Sequence, residues 1–92
     1  MTKHCRIYLE YFSLGEQDVW QCEACLKQDH IQNFDLHHIH GRGKGKDVID
    51  NIICLCRKCH NRAHSSKDYV SPGEFQLIHG YFLQGTRKVF LK

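Results

Sequence analysis

Cys22-Glu23-Ala24-Cys25 and Leu55-Cys56-Arg57-Lys58-Cys59-His60, with Asp35-Leu36-His37-His38-Ile39-His40 between them, decide how this chain is read. A C-x2-C knuckle lets two thiolates approach one ion from a tight turn, and two knuckles complete the tetrahedral shell of zinc. Cys22, Cys25, Cys56 and Cys59 are therefore the expected ligands of a Zn2+ ion. A closed thiolate shell has no open position, so this ion is expected to be structural and to contribute to folding. The 30 residues between Cys25 and Cys56 exceed the usual zinc-ribbon interval and can hold a strand pair. The competing readings are buried reduced thiols and disulfides. Cys54 reads as a small core residue, and Cys5 has no assigned role. The shell leaves the histidines free for a second metal.

Size and composition favour this use of metal. A chain of 92 residues is expected to form one domain. Near that length a hydrophobic core alone supplies only a few kcal/mol, so a metal staple matters. No apolar run is long enough for a membrane span, and the N-terminus Met1-Thr2-Lys3-His4-Cys5-Arg6 does not read as a secretory signal. Six cysteines without such a signal point to a reducing, cytoplasmic setting. The formal charge of +3 is compatible with a nucleic-acid partner without requiring one.

Along the chain, Ile7, Tyr8, Tyr11 and Phe12 recur at helical spacing over residues 4–14, with Gly15 as the stop. Val19 and Trp20 read as a short extended piece before the first knuckle, and Phe34–Ile39 as a strand. Gly41-Arg42-Gly43-Lys44-Gly45-Lys46 must be a loop. Asn51–Leu55 reads as a second strand and residues 57–66 as a helix. Ser71, Pro72 and Glu74 form a helix start, with Ser71 the N-cap and Glu74 closing a capping box. That helix carries Phe75, Ile78 and Phe82 on one stripe, with Leu77 and Tyr81 beside it, and Gly85 ends it. Val89–Leu91 reads as a short terminal strand. The domain is thus a core over about 20–66 with a C-terminal helix over about 71–84.

Spacing also constrains the histidines. Cys59 and His60 diverge by about 100° on a helix, so one can face the zinc and the other a separate site. His60 and His64 share a helix face. On a regular strand His37 and His38 point to opposite faces, whereas His38 and His40 share one. Adjacent residues can serve one site only if the strand bends or ends, as Gly41 would allow. Spacing alone does not choose between His38 and His40 as a general base. His4, His30 and His79 read as surface or helix residues, and Asp35 as a solvated strand residue.

The histidines, the asparagine and the cysteines together resemble the HNH endonuclease family, in its four-cysteine, zinc-stabilised subgroup. The family pattern is an acidic residue or His followed by His, then Asn at the head of the second strand, then His on the helix. Here it stands as His37-His38, Asn51 in Asp50-Asn51-Ile52-Ile53, and His60 within Leu55-Cys56-Arg57-Lys58-Cys59-His60. The resemblance runs from about Cys22 to His64. It implies a small α+β fold: a ββα-metal core with structural zinc, flanked by an N-terminal and a C-terminal helix. It implies a metal-dependent DNA endonuclease in which His38 is the general base, able to take a proton from water near neutral pH. His37 and His60 would be ligands of the catalytic ion, with His64 a third. Asn51 would orient the base or pin the connecting loop. Hydrolysis would leave a 5′-phosphate and a 3′-hydroxyl. His37 in place of Asp makes the site softer, favouring Zn2+, Ni2+, Mn2+ or Co2+, with Mg2+ still possible.

Arg42, Lys44 and Lys46 on the glycine loop, and Arg57, Lys58 and Arg62 near the helix, are candidate phosphate contacts. A solvated loop kept soluble by charge is the competing reading. The implied partner is DNA, double-stranded and read with little sequence specificity, without a membrane, by a monomer or homodimer. By the family's habit the setting is a bacterial or phage-infected cell. The alternative function is a non-catalytic, zinc-stabilised nucleic-acid-binding or adaptor module, which needs the cysteines but not the histidines with Asn51.

Overall fold

An apolar run without alternation, Ile52-Ile53-Cys54-Leu55, is what a strand covered on both faces requires. In the structure, a computed structural model describing all residues Met1–Lys92, this run is fully buried. Numbering strands and helices in chain order, it forms β4 (Ile52–Leu55), paired antiparallel with β3 (Asp35–His38). His37 lies opposite Ile53 and His38 opposite Ile52. Helix α2 (Arg57–Asn61) follows at once, capped by the Cys56 sulfur accepting from the Cys59 amide. This β3–β4–α2 unit is the ββα core.

The first knuckle sits at the tip of a second hairpin, β1 (Val19–Gln21) with β2 (Gln28–His30). The turn closes through Cys22 N–H to the Lys27 carbonyl and Leu26 N–H to the Cys22 carbonyl. The hairpin docks on β4 where the Glu23 amide donates to the Cys54 carbonyl at 2.9 Å. Two helices close the domain: α1 (Lys3–Tyr11), capped by Thr2, and α3 (Pro72–Leu83), with the complete Ser71–Glu74 capping box. No helix is long and apolar enough to cross a membrane.

Several elements differ from the sequence reading. Helix α1 ends at Tyr11 rather than residue 14, because Ser13 takes a left-handed φ of 55°. Asn51 falls in a 3-10 turn, Ile49–Asn51, ahead of β4. Helix α2 stops at Asn61 instead of reaching Ser66: the Ser65 hydroxyl accepts from the Lys67 and Asp68 amides, and Val70 N–H returns to the Arg62 carbonyl. Such a local hydroxyl–backbone turn competes with helix propagation. Val89–Leu91 is not a strand; the Phe90 and Leu91 amides both donate to the one carbonyl of Ala24, which docks the tail on the knuckle.

The core joins α1, β4 and α3 through Tyr8, Ile52, Leu55, Phe75 and Ile78. A ring cluster of Phe12, Trp20 and Phe82 ties α1 and β1 to α3, with centroids 5.0–5.8 Å apart. Inside it lies a buried polar network on Glu23, which is 1% exposed. Its carboxylate accepts from Tyr8 Oη at 2.7 Å, the Cys54 amide at 3.0 Å and His79 Nδ1 at 2.6 Å. His79 Nε2 meets the Ile49 carbonyl at 2.6 Å. Both ring nitrogens face oxygen acceptors, so His79 carries both protons. Burial opposes that charge, but the hydrogen bond and negative charge of Glu23 outweigh it and raise the His79 pKa. His79 is therefore a helix residue, as read from the sequence, but a buried and structural one.

Candidate active site

The four thiols meet where the knuckle of the first hairpin faces the start of α2. The sulfurs of Cys22, Cys25, Cys56 and Cys59 all lie within 4.8 Å of one another, and Cys25 and Cys56 are 3.8 Å apart. With Zn–S bonds near 2.3 Å, a tetrahedron has S···S edges of about 3.8 Å. The donor set therefore fits zinc. Without a cation the thiols share protons: a hydrogen bond from Cys59 holds Cys22 down to about 5, and that same bond, with burial, drives Cys59 far above its ordinary value. Burial lifts Cys25 to about 11. A divalent ion removes this conflict by stabilising all four thiolates.

The strand pleat sends alternate residues of β3 to opposite faces. On one face Asp35 and His37 point toward α2. The His37 and His60 ring centroids are 4.8 Å apart, and those of His60 and His64 are 6.1 Å apart. Two imidazoles bound to one ion at about 2.1 Å, with bond angles of about 90–120°, have centroids about 4.5–5.5 Å apart. His37 and His60 fall in that range, while the His64 ring, 6.1 Å from that of His60, lies outside it. His60 Nδ1 donates to Asp35 Oδ2 at 2.8 Å, which leaves its Nε2 lone pair for a ligand. This carboxylate–imidazole arrangement orients metal-binding histidines generally. Asp35, read from sequence as solvated, thus positions His60, and it also holds Arg57 by two bonds of 2.8 and 3.2 Å. Burial, followed by the nearby His60 and His64, depresses His37 to about 4, so its ring is neutral near pH 7. His37 and His64 line a cavity of about 240 Å3 that His38, Gly41, Tyr69 and Phe75 also border.

His38 takes the other face of β3. Its Nε2 donates to Asp47 Oδ1 at 2.7 Å, and its ring packs 4.4 Å from that of His4 on α1. The His38 side chain is only 5% exposed, and its Nδ1 is buried without a hydrogen-bond partner. Asp47 therefore fixes the tautomer in which Nδ1 keeps its lone pair. His4, on helix α1, is buried as well. Its pKa is lowered, first by burial and then by His38 and Arg42. His40 stands apart: exposed, with Nε2 donating to Gln76 Oε1 on α3 at 2.7 Å.

Asn51 pins the loop between β3 and β4. Its Oδ1 accepts from the His40 amide at 2.8 Å, and its Nδ2 donates to the Gly41 and Lys46 carbonyls at 3.1 and 3.0 Å. Both ends of the glycine loop are thus tied to one buried amide. Gly41, Gly43 and Gly45 all have positive φ, at 84°, 135° and 78°, conformations that side-chain-bearing residues rarely adopt. The alternation leaves Arg42, Lys44 and Lys46 exposed. Arg62 does not join them. Its guanidinium donates to the Asp68 and Lys92 carbonyls, at 3.0 and 3.3 Å, and lies 3.7 Å from the Asp68 carboxylate. It braces the chain after α2, which corrects its reading as a phosphate contact. Arg57 bonds Asp35 yet remains 75% exposed.

A ββα unit bracketed by four clustered thiols that could hold zinc, with imidazoles gathered at its strand–helix corner, is a small ββα-metal fold. Residues 22–66, nearly half the chain, match the family model for HNH endonuclease. No curated protein and no solved structure matches the chain.

Proposed function

We propose that this protein is a metal-dependent DNA endonuclease that hydrolyses phosphodiester bonds with water activated by His38. The observation that carries the reading is the gathering of His37, His60 and His64 on one face, beside His38 and the loop held by Asn51. His37, His60 and His64 would hold a divalent ion (Mg2+, Mn2+, Ni2+ or Zn2+). When bound, it supplies Lewis acidity to a phosphate oxygen and the leaving 3′-oxygen.

The chain's own residues do the rest. Asp47 accepts the Nε2 proton of His38, so Nδ1 presents the lone pair that takes a proton from water. Movement of the His4 ring, packed against His38 at a tilt of 52°, would admit that water. Asp35 holds His60 in its ligating tautomer. Asn51 fixes the loop so that Arg42, Lys44 and Lys46 meet the DNA backbone from one side. Contacts of this kind neutralise phosphate without reading bases, in keeping with double-stranded DNA bound with little sequence preference. Thiolate ligation of zinc suits the reducing cytoplasm of a bacterial or phage-infected cell.

The test is the chemistry of the ends. Zinc-loaded protein with Mn2+ or Mg2+ should nick plasmid DNA, EDTA should stop it, and DNA ligase should reseal the nicks. Resealing requires a 5′-phosphate and a 3′-hydroxyl, so nicks that ligase cannot close would contradict the mechanism. Binding without cutting under every metal would instead make the protein a zinc-stabilised adaptor.

A further inference from the structure

We propose that His4, His38 and Asp47 form a second transition-metal site, separate from the thiolates and from the His37–His60–His64 face, and that zinc bound there silences His38. The binding half of this proposal stands alone. The silencing half rests on His38 being the base.

One ligand atom from each of the three residues falls within 4.8 Å of the others, the closest such grouping in the chain outside the cysteines. The three come from separate segments: α1, β3 and the loop after β3. Both imidazoles are buried, and Asp47 stands at the rim with its side chain 34% exposed. An ion there would keep an open side for water. The His4 and His38 centroids, 4.4 Å apart and tilted by 52°, need to spread toward the roughly 5.2 Å of two imidazoles on a tetrahedral ion. An ion bound at Nε2 would move the one proton of the neutral His38 ring to Nδ1, the buried nitrogen that has no partner, and so remove the lone pair a base needs.

The donor chemistry selects the ion. Two imidazoles and one carboxylate favour zinc and its first-row neighbours over Mg2+, which prefers oxygen ligands. The 2.7 Å contact between His38 Nε2 and Asp47 must open to about 3.0–3.4 Å for both atoms to bind one ion. Asp47 lies on the surface loop, where that shift is small. The Thr2 hydroxyl, 3.1 Å from His4 Nδ1, gives the second ring a partner that sets which nitrogen keeps its lone pair. Lys3 and Arg42 lie close enough to oppose a cation, so binding should be weaker than at the thiolates.

The experiment uses protein with its thiolates zinc-loaded and with His37→Ala and His60→Ala removing the other histidine face. Calorimetric titration with Zn2+ should show one further equivalent. Adding His4→Ala or Asp47→Asn should weaken it by about tenfold or more. No further equivalent, or one indifferent to both changes, overturns the site. Asp47→Asn leaves the buried packing untouched, so an unfolded His4→Ala protein does not blunt the test. In a second arm, rising Zn2+ is added to protein cutting plasmid in Mn2+. Wild type should be inhibited, and His4→Ala should need about tenfold more zinc for the same inhibition. Equal inhibition of both refutes silencing. A protein that cuts under no condition refutes the nuclease reading and silencing together, while the titration still decides the site.

Discussion

The thiolate cluster and the histidine face share the corner where β4 enters α2 but are built on opposite plans. The cluster is made of four like ligands, mostly buried, whose protons conflict until a cation arrives. The histidine face borders a cavity through His37 and His64, and one of its rings, His60, is steered by the Asp35 carboxylate on its Nδ1. A closed shell adds stability and performs no chemistry; an open shell held in place from outside can exchange water and substrate. Cys59 and His60 are adjacent in sequence, and helix rotation alone assigns one to each plan. The comparison teaches that fold and activity should be separable by mutation at neighbouring positions.

Breaking the cluster should have the largest effect. Apparent zinc affinities in small thiolate modules are about 10–16 kcal/mol, against total domain stabilities of about 5–15 kcal/mol. Cys56→Ala should therefore abolish the cooperative melt followed by circular dichroism. A native melt from zinc-free variant protein would remove zinc from the account of folding.

The frame beneath both regions is the Glu23–His79 pair, and Glu23→Ala should cost about 3–5 kcal/mol by leaving a buried cation unpartnered. Chemical denaturation measures it. His79 has a raised folded pKa, so the pair's stabilisation is complete below the unfolded value of about 6.5. It is lost as pH climbs through the folded value, and the gap between wild type and variant should narrow there. A gap that widens with pH would mean His79 is neutral in the fold.

His60→Ala should do the reverse of Cys56→Ala. Zinc content should stay at one ion per chain and the melt should move little, while plasmid cleavage falls by about a hundredfold or more, the scale of lost metal-ion catalysis. Equal loss of zinc and activity would merge the two plans into one.

The smallest effect belongs to the loop. Arg42→Ala should reduce the slope of log affinity against log salt by about one unit, read by fluorescence anisotropy on duplex DNA. An unchanged slope would take the loop out of the interface.

Sequence carried much of this and missed the rest for physical reasons. The two knuckles, the apolar run of β4 and the Ser71–Glu74 box are local patterns, and each specifies its own geometry. Strand β2 was not legible, since Gln28-Asp29-His30 has neither an apolar residue nor an alternation. Glu23 read only as a spacer between cysteines, and His79 as a lone histidine on a helix; each is buried by a partner 56 residues away. Asp47 and His4 likewise gain meaning only when the loop and α1 close over His38. Asp35 was within reach, two residues before His37 on the same strand face, where a carboxylate can steer a ligating ring. The alternation of His37 and His38 was visible as a difficulty. In the fold it separates His38, facing Asp47 and His4, from His37, facing His60.

The most direct test is Mn2+-dependent nicking of supercoiled plasmid by wild type and His38→Ala, run in parallel with each protein's zinc content and Mn2+ binding. The account predicts that both bind one zinc and then Mn2+, and that only wild type cuts. Undiminished cutting by His38→Ala, or no cutting by a wild type that has bound both ions, would contradict it.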